Sequence, residues 1–161
     1  MNRIIETPED MRLLMNECVH LTYEWVEKCN KTFGLNMPAF RVEFSLKGTT
    51  AGMAYIGQKV IKYNPTLLRE NPEAFLARTV GHEVVHHAAY AKYGNEISGH
   101  GEEWKRMMRK LGLPDTRCHS YDTSNVPTRV GKTRNVSRNN IIQTADGMVR
   151  GIGMGKVIDF D

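Results

Sequence analysis

"TVGHEVVHHAAY", residues 79–90, places three histidines and a glutamate within six positions. On a helix advancing about 100° per residue, His82 and His86 lie about 40° apart, one turn from each other on a shared face. Two imidazoles so placed can meet one zinc ion at about 2.0–2.1 Å each. Glu83 falls about 60° farther round than His86. It sits beside the metal without needing to ligate it, which suits a base that takes a proton from the attacking water. His87 projects about 140° from His82, among Leu76, Val80, Val84 and Ala91. It reads as a core-facing histidine or one that supports the site from behind.

Catalytic zinc takes three protein ligands and leaves one position open. "SGHGEEW", residues 98–104, offers His100 between two glycines that let its backbone come close. Glu96, Glu102 and Glu103 are rival third ligands. His100 is preferred as a neutral nitrogen donor.

The surrounding segments frame this helix. Thr7, Pro8 and the acidic residues after them start a long amphipathic helix. Its apolar stripe runs Met11, Leu14, Met15, Cys18, Leu21, Trp25, Val26, Cys29, and Gly34 stops it. "AFRVEFSL", "AGMAYIG" and "KVIKYN" read as strands, the last two joined by a turn around Gly57 and Gln58. Pro65 starts a short helical turn. Asn71 and Pro72 open the histidine-bearing helix, which Gly94 follows, and "GEEWKRMMRKLGLP" is a third long helix. In "NIIQTADGMVRGIG" the chain turns on Asp146-Gly147 as a hairpin. Helix, three strands, helix, helix is the order of an α+β domain with helices packed on a small antiparallel sheet. Residues 1–122 read as that domain and 123–161 as a basic C-terminal extension.

Of the 22 Lys and Arg, 11 lie in residues 101–161, against 7 acidic residues there. Lys105, Arg109, Arg129, Lys132, Arg134 and Arg138 are candidates for contact with a polyanion such as DNA; a solvated basic face is the plainer reading. Cys18, Cys29 and Cys118 never form a CxxC pair, which argues against a disulfide framework or a four-cysteine zinc site. No apolar run approaches the roughly 20 residues of a membrane span. The start "MNRIIETPED" lacks a signal-peptide core, so a cytoplasmic protein with no membrane partner is expected.

"TVGHEVVHHAAYAKYG", then "GHGEEWKRMMRKLG" and "RCHSYD", resemble the SprT-like zinc metallopeptidases. The family pattern is HExxH, a loop, a histidine-glycine pair, and an aromatic residue three positions after the glycine. His82, Glu83, His86, His100, Gly101 and Trp104 match it. The resemblance implies a zincin-like fold and a zinc-dependent peptidase, with DNA-bound or DNA-crosslinked proteins as substrates in some members. Bacterial members usually end in a cysteine-bearing zinc ribbon. Residues 123–161 contain no cysteine, so a ribbon-like hairpin there would hold no zinc.

The expected mechanism has zinc polarising the scissile carbonyl and Glu83 moving the water's proton to the leaving amine. The peptide would lie along a free edge of "AGMAYIG" or "KVIKYN". His119 and Tyr121 serve either the oxyanion or ordinary packing. Trp104 reads as a core anchor. The alternative function is a DNA-binding module whose zinc is structural; the intact Glu83 speaks against it, since a structural site needs no base.

Overall fold

The computed structural model describes residues 3–126 and the strand Val157–Ile158. The order is α1 (Pro8–Phe33), β1 (Arg41–Glu43), β2 (Gly52–Tyr55), β3 (Val60–Tyr63), α2 (Pro65–Glu70), α3 (Pro72–Ala74), a π-helical segment (Phe75–Thr79), α4 (Val80–Tyr93), α5 (Glu102–Lys110) and β4 (Val157–Ile158).

Helix α1 begins where its sequence dictates. The Thr7 hydroxyl accepts from the Asp10 amide at 3.0 Å, and the Asp10 carboxylate accepts in return from the Thr7 amide at 3.0 Å. This reciprocal pair satisfies donors that the first helical turn leaves over. Gly34, at φ 67°, ends the helix in the left-handed conformation. Leu14, Cys18, Val26 and Cys29 are buried, and Met11, Met15, Leu21 and Trp25 partly so. Burial pushes the Cys29 thiol up to about 12, so it packs as a small apolar group. Thr22 also lies on this face, donating to or accepting from the Tyr63 hydroxyl at 2.8 Å.

The sheet is mixed, which corrects the antiparallel expectation. Its order is β1-β3-β2-β4. β2 and β3 form the expected antiparallel hairpin, Gly52 opposite Tyr63 and Tyr55 opposite Val60. β1, however, runs parallel to β3, Arg41 opposite Val60 and Glu43 opposite Lys62. Residues 44–51 carry the chain past the place β3 later fills. The period-2 pattern of "AFRVEFSL" reports which face is buried, not which neighbour a strand takes. β3 is therefore an interior strand and offers no edge. β4 pairs with β2 at Ala54–Tyr55.

The loop into β2 is tied down by Asn64. Its amide donates to the carbonyls of Gly48 and Thr50, and its carbonyl caps α2 by accepting from Thr66 and Leu67. α4 packs between α1 and the sheet, touching β2 on one side and α5 on another. Val80, Val84, Val85 and Ala88 of α4 are fully buried, and its apolar surface closes the core. Asn71 makes no side-chain cap to α3; it instead closes the C-terminal end of α2. The hairpin expected around Asp146-Gly147, and with it the ribbon-like extension, lies outside the described residues. Among those described, no helix is long and apolar enough to cross a membrane.

Candidate metal centre

His82, Glu83 and His86 come from the first two turns of α4, directly after the π-helical segment. His100 comes from the turn just before α5. The three imidazoles converge: one ligand nitrogen from each lies within 4.8 Å of the others. His82 Nε2 and His100 Nε2 are 3.3 Å apart. Two nitrogens about 2.0–2.1 Å from one ion at the tetrahedral angle stand about 3.3–3.4 Å apart, so this spacing fits a shared metal. The rings also suit a metal chemically. Burial, then the nearby His100, His82 and His87, hold the His86 pKa well below its ordinary value. A neutral ring keeps the lone pair a metal needs.

Glu83 is fully buried beside this cluster, its Oε2 4.0 Å from His82 Nε2. The other side of its carboxylate is walled by the backbone of β2 at Gly52. His82 and His86 are buried too, and His100 is half-buried. The site is thus more enclosed than the amphipathic pattern of α4 suggests. Trp104 explains part of that. Its ring stacks on His86 at 5.0 Å and meets His82 and His100 edge-on at 4.9 and 4.7 Å. It is fully buried in the hydrophobic core, as expected of a core anchor, and its ring also walls the histidine cluster.

The remaining candidates lie elsewhere. His87 stacks on Phe40 at 4.1 Å and donates from Nε2 to the Val60 carbonyl at 3.2 Å. Burial lowers its pKa to about 4, so it is a neutral strut between α4 and β3. His119 donates from Nε2 to the Thr49 carbonyl at 2.8 Å and accepts the Tyr121 amide at Nδ1. Burial, its largest influence, lowers its pKa, which agrees with this neutral tautomer. The Tyr121 hydroxyl pairs with the Thr79 hydroxyl at 2.7 Å and donates to the Ala74 carbonyl at 3.2 Å. Tyr121 thereby fastens its segment to the start of the histidine helix, and His119 fastens it to the loop before β2. Glu102, a rival ligand, instead grips Arg109 at 2.6 Å, and Asp115 takes the other side of that guanidinium at 2.8 Å. Arg109 is therefore engaged within the protein, while Lys105 is half-buried on the same helix. Arg129, Lys132, Arg134 and Arg138 lie outside the described residues.

One signal in the sequence points to Gly52. A glycine interrupting a strand pattern often marks a close approach by another group. The ring wall built by Trp104 had no such signal beyond its spacing from His100.

Comparison with known proteins places the chain in a family. A family profile described as the SprT-like family matches residues 22–123. The protein called Protein SprT in Pseudomonas aeruginosa is 44% identical over 101 residues, covering 60% of this chain and 61% of that one. Protein SprT of Pseudomonas putida is 37% identical over 116 residues, 71% of this chain and 66% of that one. The chain thus spans about three fifths of the length of the first of these relatives and about two thirds of the second. No solved structure matches it. The profile match covers well over half of the 161 residues and takes in the whole histidine cluster with Glu83, so the chain belongs to the SprT-like family.

Proposed function

We propose that the chain is a zinc-dependent endopeptidase with a zincin-type active site. One observation carries the reading: three imidazoles converge on a shared point with a buried carboxylate beside them. His82, His86 and His100 would hold one zinc ion. When bound, zinc supplies Lewis-acid polarisation of the scissile carbonyl and acidifies water. Glu83 accepts a proton from the attacking water as its oxygen bonds to the carbonyl carbon. The same carboxyl returns a proton to the departing amine nitrogen as the C–N bond breaks. β2 packs against this helix, and an extended peptide can add by main-chain hydrogen bonds only along the part of its outer side, at Gly52 and Met53, that is not paired with β4.

DNA-bound proteins are the proposed substrate class, on the family resemblance and the basic C-terminal third. A DNA-binding module with a structural metal is the second reading, and the same basic residues favour it. A carboxylate held in the core at 4.0 Å from a ligand nitrogen serves no purpose in such a site. Elemental analysis and cleavage of a DNA-bound protein test both together. One zinc per chain is expected, with cleavage abolished by a chelator and restored by zinc. His100→Ala should lower both. Undiminished zinc in that variant would move the third ligand to a glutamate, and zinc without any cleavage would favour the binding module.

A further inference from the structure

Gly52 opens β2 with an ordinary extended backbone; it is not among the glycines at positive φ. Nothing in its own conformation excludes a side chain. What excludes one is Glu83. A Cβ at Gly52 would lie 2.8 Å from Glu83 Cγ, 3.1 Å from Cδ and 3.0 Å from Oε2. All three distances fall well inside carbon–carbon and carbon–oxygen van der Waals contact. Gly81 of α4 differs in kind, since a Cβ there would meet the apolar Leu113 and Trp25. At Gly52 the close neighbour is the carboxylate itself.

We propose that Gly52 is a positioning residue: its bare backbone forms the wall against which the Glu83 carboxylate is set beside His82 and the other imidazoles. This rests on the reading of Glu83 as the base. The wall is itself held firmly. Gly52 is paired with Tyr63 in the hairpin, the Asn64 amide donates to the Ala51 carbonyl at 2.8 Å, and the Asn64 side chain and His119 fix Thr50 and Thr49. A methyl group at position 52 therefore moves the flexible partner, Glu83, rather than the strand. The nearest atoms that methyl meets all belong to Glu83 and none to a histidine, so metal binding should survive.

The test is a double-mutant cycle in the full chain, read by both stability and turnover. Gly52→Ala should retain zinc and lower kcat on the order of 10²-fold, the effect of roughly an ångström of misplacement, with KM little changed. In the Glu83→Gln background it should cause no further loss. Thermal unfolding of the metal-free proteins gives a readout independent of activity. With Glu83 present, Gly52→Ala should lower Tm. With Glu83→Ala the clash is gone, and the same substitution should raise Tm, because alanine suits an extended segment better than glycine. An equal Tm change in both backgrounds, or full turnover in Gly52→Ala, would overturn the proposal. Wild-type turnover in Glu83→Gln alone would instead sink the base role, while the Tm cycle still decides whether the contact sets the carboxylate.

Discussion

Trp104 touches all three imidazoles with one ring, and its neighbours on α5, Met107 and Met108, are buried with it. An indole packed this way limits the rotamers open to the histidines, so less order must be gained when a metal binds. Trp104→Ala should cost about 3–5 kcal/mol of stability and weaken zinc affinity as well. Trp104→Phe, which keeps an aromatic wall, should lose less of each. Denaturant unfolding and competition with a chromogenic chelator measure the two effects. A loss of stability with zinc affinity intact in Trp104→Ala would reduce the ring to a core filler. At this scale the pairing of His82 with His86 was legible because a helix fixes it over four residues. The contact of Gly52 with Glu83 was not, because it joins residues 31 positions apart and depends on how β2 docks on α4.

Among the elements, α1 was the easiest to read. Its start, stop and buried stripe all follow from local rules, and the observed cap involves Thr7 and Asp10 as reciprocal partners. The amides of Glu6 and Thr7 hold the Asp10 carboxyl below its usual range, so this cap is complete above the ordinary aspartate pKa of about 3.9 and is lost as pH falls through the lower folded value. Thr7→Ala should destabilise the protein by about 1 kcal/mol at neutral pH, measurable by urea unfolding. An unchanged midpoint would mean that α1 is held by its packing on α4 alone. The sheet was harder. Strand identity follows from alternation, but β1 and β3 become parallel neighbours only through the path of residues 44–51, which no short-range pattern encodes. The π-helical segment before α4 was not legible either. Phe75 and Leu76 are buried there as an ordinary helix would bury them, and the wider turn shows only in the backbone.

In the whole molecule, the candidate site and most of the basic excess lie in different parts of the chain. The core, the histidine cluster and the matched family region all fall within the described residues up to 126. The excess of basic residues falls largely after them. If that basic stretch binds DNA, neutralising Arg129, Lys132, Arg134 and Arg138 together should flatten the salt dependence of binding by about three to four units of log–log slope and leave zinc content intact. Wild-type protein that binds no DNA at low salt would leave a peptidase for soluble proteins. Under the proposed function, this chain's own carboxylate does acid–base work beside a histidine-held zinc, whatever the substrate. The most direct measurement is zinc content and peptide-bond cleavage of Glu83→Gln beside wild type in one preparation. Equal zinc and a loss of cleavage of at least about 10²-fold are expected, because an amide keeps the shape but cannot take the proton. Equal zinc with cleavage within about tenfold of wild type would contradict the acid–base role.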